Sequence, residues 1–130
     1  MWWSTQEVAA PADEVWQLLV DVRRWPDWGP TVTAARLDGS KASALTPGAT
    51  GRVRTPVGLW LPFTVTDWHD DGARRAWSWR VAAVPATTHE VVVLGEAACV
   101  VRIGVPVWAP AYLPVTELAV RRIRALAERE

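Results

Sequence analysis

The sequence predicts an α+β domain in which one curved antiparallel sheet of about seven strands closes around a long C-terminal helix. Three observations predict it. A helix-period apolar stripe follows a single short strand. Six alternating, turn-bounded segments then fill residues 31–105. A second helix-period stripe ends the chain.

The elements are justified in order. Residues 4–9 read as a first strand. Pro11 suits the first turn of a helix, and Asp13 and Glu14 suit its positive end. Val15, Leu18, Leu19 and Val22 fall at i, i+3, i+4 and i+7, and Trp16 widens that stripe, so a helix is predicted over 11–21. Pro26 is expected to push Trp25 out of the helical region, and Gly29-Pro30 marks a turn. Val22 to Trp25 then reads as a second, very short helix. Strands are predicted over 31–38, 50–56, 59–68, 74–82, 88–94 and 97–105. The breaks between them are Asp38-Gly39-Ser40, Thr46-Pro47-Gly48, Pro56-Val57-Gly58, Asp70-Asp71-Gly72, Val84-Pro85 and Gly95-Glu96. Each is short enough for a hairpin or meander, which makes the sheet antiparallel. Pro106, Pro110 and Pro114 precede the last helix, whose stripe is Val115, Leu118, Ala119, Ile123 and Leu126.

Composition bounds the function. The chain has 130 residues, 14 Lys+Arg against 14 Asp+Glu, and is half hydrophobic. That suits one domain over residues 1–130 with a sizeable core. Neutral balance argues against a nucleic-acid binder, which needs a basic excess. The single cysteine, Cys99, excludes an intrachain disulfide and a cysteine-rich zinc site. Met1-Trp2-Trp3-Ser4 lacks the basic start and apolar run of a signal peptide, and no stretch is long enough to span a bilayer. A cytoplasmic protein, monomer or homodimer, without stable membrane insertion, is the expectation. Ten of the twelve aromatic residues are Trp, a large ring that packs widely and wants a partner for its N–H.

Side chains alternate across a strand, so each strand offers two sets. Val53 and Thr55; Leu61, Phe63 and Val65; Trp77, Trp79 and Val81; His89, Val91 and Val93; and Cys99, Val101 and Ile103 form the apolar face. The opposite sets hold Arg52 and Arg54, Thr64, Thr66 and Trp68, Ser78 and Arg80, Glu90, and Arg102. They read as a solvated face. His89 and Cys99 are the only ionisable groups of the inward sets; Asp67 and His69 continue the parity of Val65. No metal-ligand cluster, nucleotide fingerprint or paired inward carboxylate is present, so no metal or cofactor is expected.

Ala9-Ala10-Pro11-Ala12-Asp13-Glu14-Val15-Trp16, followed by Asp21-Val22-Arg23-Arg24-Trp25-Pro26-Asp27-Trp28, resembles the opening of the START/Bet v 1-like (SRPBCC) superfamily. The nearest branch is the bacterial polyketide cyclase/dehydrase and lipid-transport group. Thr88-His89-Glu90-Val91 resembles its later strands. Gly95-Glu96-Ala97 replaces the usual Gly-Thr of the last hairpin. The resemblance implies a helix-grip fold with a deep hydrophobic cavity between sheet and C-terminal helix. Its members bind lipids, sterols or aromatic polyketides, cyclise polyketides, or act as chaperones or interaction modules.

The fold hosts many functions, so the site must decide. The first expectation is a binding protein for a lipid- or polyketide-like small molecule. Phe63, Val65, Trp77, Trp79, Val91, Cys99 and Val101 would wall its cavity, His89 would be a polar anchor, and Trp108 and Tyr112 would stand at the entrance. The alternative is a polyketide cyclase or dehydratase with His89 as acid/base and Tyr112 or Asp67 orienting a carbonyl or phenol. A third reading is a non-catalytic interaction module with Trp2, Trp3 and Trp68 exposed. Cys99 reads as an inert buried thiol.

Overall fold

The computed structural model of the chain describes residues 1–39 and 42–129, so Ser40 of the first expected break lies outside the described residues. Strand β1 (Trp2–Val8) leads into helix α1 (Ala12–Val20), a 3-10 turn (Val22–Arg24) and helix α2 (Trp25–Trp28). Strands β2 (Ala34–Leu37), β3 (Thr50–Arg54), β4 (Trp60–Asp70), β5 (Arg74–Val81), β6 (Val84–Gly95) and β7 (Ala98–Val105) follow. A 3-10 turn (Pro110–Tyr112) then enters helix α3 (Leu113–Arg129). The sheet is wholly antiparallel in the order β1-β7-β6-β5-β4-β3-β2. It is the predicted helix-grip arrangement: a seven-stranded curved sheet with the long C-terminal helix on its apolar face.

Pro11 caps α1, and Val15, Trp16, Leu18, Leu19 and Val20 are buried. Trp25 corrects an expectation, because its φ of −56° and ψ of −40° are helical. Pro26 lies in the first turn of α2, where a missing N–H costs nothing. The Trp-Pro-Asp-Trp segment thereby folds back on α1. Trp25 Nε1 donates to the Leu19 carbonyl at 2.9 Å and Trp28 Nε1 to the Leu18 carbonyl at 2.8 Å. Two carbonyls in the last turn of α1, which lack partners within their own helix, are satisfied this way.

Helix α3 packs mainly on β1 and β7. The Ser4 and Thr116 hydroxyls meet at 2.8 Å, Ala9 N–H donates to Glu128 Oε2 at 2.8 Å, and Arg124 donates to Gln6 at 3.3 Å. Its buried side is Thr116, Ala119, Val120, Ile123 and Ala127. Leu118, expected on the stripe, is 40% exposed, because small residues centre the contact one step around the helix.

Two irregularities change which side chains face inward. A bulge between Val65 and Asp67 puts Trp68 opposite Trp77, on the inner face, and turns Asp67 and His69 to solvent. Strict alternation had read these three residues the other way. Trp68 packs edge-on against Trp16 at 5.5 Å. The β5–β6 turn is Ala82-Ala83, both at positive φ, rather than Val84-Pro85. Residues 84–87 therefore belong to β6, which a start at residue 88 had omitted. Val93, expected inward, lies near the strand end and is 40% exposed.

Candidate functional site

The inner face of β4, β5 and β6 meets α2 in a cluster of rings. Trp77 stacks on His89 with centroids 3.9 Å apart and planes 20° from parallel. Trp25 stacks on Trp77 at 5.6 Å, stands edge-on to Trp79 at 5.3 Å and lies tilted against Phe63 at 5.6 Å. Trp28 stands edge-on to His89 at 6.0 Å. Each such pair is worth ~0.5–1.5 kcal/mol beyond its buried area, so the cluster is stiff. The folded-back α2 supplies two of these rings, Trp25 and Trp28, both buried.

A small cavity of about 40 Å³ remains beside His89, lined also by Trp28, Trp77, Ile103, Thr116 and Ala119. It holds about one or two waters. A larger opening of about 300 Å³ adjoins it, between the ends of β3–β6 and the loop into α3. Leu61, Val81, Ala86, Val105 and Trp108 are among its apolar walls. Thr31, Trp79, Thr87 and Tyr112 line both spaces and form the neck between them. Tyr112 Oη and Thr31 Oγ1 are 2.7 Å apart, a hydrogen bond that closes one side of the neck.

The polar groups of the neck form a chain. Trp79 Nε1 donates to Thr87 Oγ1 at 3.0 Å, and Thr87 Oγ1 lies 3.1 Å from His89 Nε2. The hydroxyl accepts from the indole N–H and shares a second hydrogen bond with Nε2, whose direction follows the imidazole tautomer. Burial pushes the imidazole down to about 3, against a smaller opposing effect of the Trp77 main chain. His89 is therefore neutral at pH 7. Its Nδ1 and Trp77 Nε1 are buried without hydrogen-bond partners, and both side chains line the small cavity.

The expected site residues separate into three groups. Trp77 and His89 line the inner cavity, Trp79 and Tyr112 the neck, and Trp108 the outer opening. Phe63 touches this region only through its ring contacts with Trp25 and Trp79. Val65, Val91, Cys99 and Val101 are core residues that line neither space. Burial raises the Cys99 thiol to about 11, which makes it unreactive. Asp67 is exposed on the far side of the sheet, so it reaches no group in the cavity. Thr87 escaped the sequence reading; its one signal is that it shares the parity of His89, two residues on.

The outer face also has a buried charge. Glu90 is 2% exposed, bonded to Arg74 at 2.8 Å and Arg102 at 3.0 Å. Arg102 lies over the Trp3 ring at 4.0 Å, so Trp3 is covered rather than free. Trp2 donates its N–H to the Val107 carbonyl. Among the described residues no three His, Cys, Asp or Glu side chains are grouped to hold a metal ion. Among the described residues, too, no helix is long and apolar enough to cross a membrane.

Comparison with known proteins gives three findings. The sequence model of a family described as polyketide cyclase/dehydrase and lipid transport matches residues 4–129. No curated protein matches the chain. Solved structures share the fold. A hypothetical protein of Helicobacter pylori is 12% identical, with a TM-score of 0.73 over 96% of this chain and 87% of that one. A solution structure from Thermobifida fusca is 27% identical, with a TM-score of 0.60 over 98% of this chain and 89% of that one. StfQ, the di-domain ARO/CYC of the steffimycin biosynthetic pathway, is 19% identical, with a TM-score of 0.67 over 99% of this chain and 45% of that one.

Proposed function

The chain belongs to the polyketide cyclase/dehydrase and lipid-transport family, and from that premise we propose that it binds a small apolar or aromatic molecule in the opening above the tryptophan cluster. The observation that carries the reading is the opening of about 300 Å³ with almost wholly apolar walls, narrowing to a polar neck. That volume is at the lower end of small-molecule pockets, which commonly combine apolar walls with a few fixed polar groups. The guest is accordingly compact, one or two rings or a short chain rather than a long lipid.

Its orientation follows from the neck. An apolar body lies against Leu61, Val81 and Trp108, and a polar end points toward Thr87, Tyr112 and His89. An oxygen reaching the inner cavity would meet an unpartnered donor, Trp77 Nε1, with the unpartnered His89 Nδ1 beside it. A buried donor left unpaired costs ~1–3 kcal/mol, so a guest that pairs it is preferred to one that does not.

Cyclase-type chemistry with His89 moving protons at neutrality fits less well. General acid–base work is most efficient when the pKa is near the working pH, and His89 sits far below it. Here the imidazole serves as a fixed neutral hydrogen-bonding group.

Native mass spectrometry of the protein as purified, with uptake of a naphthalene-type fluorescent probe, tests the reading. A bound small molecule, or saturable probe uptake lost in Ala86→Trp with the fold intact, is expected. A protein that carries nothing and takes up no probe overturns it, as does unchanged uptake in Ala86→Trp.

A further inference from the structure

We propose that the end of the molecule bearing the opening docks on an anionic lipid bilayer. Antiparallel topology brings the β3–β4 turn, the β5–β6 turn, the end of β7 with its following loop, and the start of β1 to one end. These segments carry exposed apolar side chains. Val57 is 88% exposed, Val107 64%, Trp108 63%, Leu59 58% and Val84 48%. Isolated exposed apolar residues are ordinary, but five at the tips of adjoining loops around one opening form a patch. Trp at such a rim suits the interfacial region of a bilayer, where an amphipathic ring is most at home.

Charge selects the kind of surface. The chain is neutral overall, yet residues 28–37, 50–66, 78–89 and 98–116 contain no Asp or Glu. Those stretches hold Arg36, Arg52, Arg54 and Arg80, all exposed and, among the described residues, outside every ion pair. Register places Arg36 opposite Arg52, and Ala34 opposite Arg54, so Arg36, Arg52 and Arg54 share the outer face of β2–β3. The Arg54 guanidinium lies against Gly58 in the β3–β4 turn, and Arg36 lies over Trp60 at 5.0 Å. The carboxylates are gathered elsewhere. Asp71 and Glu96 lie in the turns at the opposite end of the sheet, with Asp67 and Asp70 at the end of β4, Glu7 near the end of β1 and Asp38 after β2; Asp27 and Glu117 border the acid-free stretches. Apolar loop tips beside arginines outside every described ion pair are complementary to an apolar interior beneath anionic headgroups. Arg52, Arg54 and Arg80 are exposed, as the solvated-face reading expects, and in this proposal that face meets headgroups; Arg102 leaves the patch because Glu90 holds it. A bilayer in this position lies across the opening, where an apolar guest would enter from it without crossing water. Docking itself does not depend on the ligand reading.

Co-sedimentation of the full chain with vesicles tests it. Vesicles of phosphatidylcholine mixed with phosphatidylglycerol should carry the protein down, and vesicles of phosphatidylcholine alone should not. Each arginine near the surface is worth roughly fivefold in partitioning, so the Arg52→Ser/Arg54→Ser/Arg80→Ser variant should bind about a hundredfold more weakly. High salt should release the wild type. Val57→Asp/Val107→Asp should abolish binding while circular dichroism and probe uptake are unchanged. Absence of vesicle binding, binding indifferent to phosphatidylglycerol, or variants that bind like wild type overturns the proposal. So does self-association by light scattering that the same variants abolish while vesicles are ignored; a second copy of the chain would then cover the patch.

Discussion

Trp77 and His89 lie face to face across β5 and β6, their ring centroids 3.9 Å apart, with Thr87 bonded to the imidazole edge at Nε2. The stack covers one face of a ring that is 3% exposed. Protonating that ring means placing an unpaired cation in an apolar interior, which is why burial dominates its pKa.

Stability should therefore depend on pH through His89. Its pKa is about 3 when folded, against 6.5 for an imidazole free in water. Between those values the unfolded chain binds a proton that the folded chain refuses. Stability is therefore full above the unfolded value, falls as pH drops through it, and levels off near the folded value. The whole shift corresponds to ~5 kcal/mol at most. His89→Phe keeps a stackable ring and removes the proton. Urea unfolding of both proteins from neutral pH to about pH 4 should show a distinctly flatter loss in the variant; parallel profiles would exclude His89 as the source.

The Ala82-Ala83 turn should be a site of easy stabilisation. Both residues have positive φ, 50° and 65°, a region where a Cβ crowds the following carbonyl at ~1–2 kcal/mol per residue. Ala83→Gly removes the clash at one position and loses part of the gain to backbone entropy. A net increase of ~1 kcal/mol in unfolding free energy is expected. A loss of stability would mean that the alanine methyl makes a contact worth more than the strain.

That turn also marks where the sequence stops being readable. Tight hairpins advertise themselves through Gly, Asn or Asp, and Asp70-Asp71-Gly72 did so, with Gly72 at a φ of 85°. Ala-Ala carries no such signal, so sequence reading puts the break at Val84-Pro85 and leaves Thr87 out of the strand. Likewise, alternation locates Phe63, Val65, Trp77, Trp79 and His89 on one face: Phe63 and Val65 precede the β4 bulge, Trp77 and His89 pair in regular register, and the β5–β6 shift at Trp79 leaves its side chain inward. It fails at Asp67, Trp68 and His69, because an extra residue in a strand leaves no mark on composition. The free volume was invisible for another reason. It depends on Trp25 and Trp28 folding back to the Leu19 and Leu18 carbonyls, and on small residues that set α3 close to β1. Both are long-range packing facts.

Glu90 should matter for stability rather than for the site. It is buried on the outer face between two arginines whose side chains are 43% and 33% exposed. Glu90→Gln keeps its volume and removes the charge. Water still reaches both guanidiniums, so the loss is smaller than for a fully enclosed pair, ~1–3 kcal/mol. Chemical denaturation reads this directly, and probe uptake should be unchanged. Loss of uptake without loss of stability would connect the outer face to the cavity.

Gly51 is the position where the smallest addition should do the most damage. It is buried in β3, opposite Phe63. A Cβ there would run into the Arg36 carbonyl of the neighbouring strand and come within 2.7 Å of the Phe63 ring. The carbonyl belongs to the sheet and cannot turn away, and the ring is held at 5.6 Å by Trp25 and 5.4 Å by Trp79. Relief must come from moving β2 or from disturbing the aromatic cluster. Gly51→Ala should cost ~1–3 kcal/mol or more, well beyond the penalty for an alanine at an open strand position. It should also change near-ultraviolet circular dichroism, because the displaced ring touches two tryptophans. Cost without a spectral change would assign the damage to β2 alone; a neutral substitution would show that Phe63 is less tightly held than the ring distances imply.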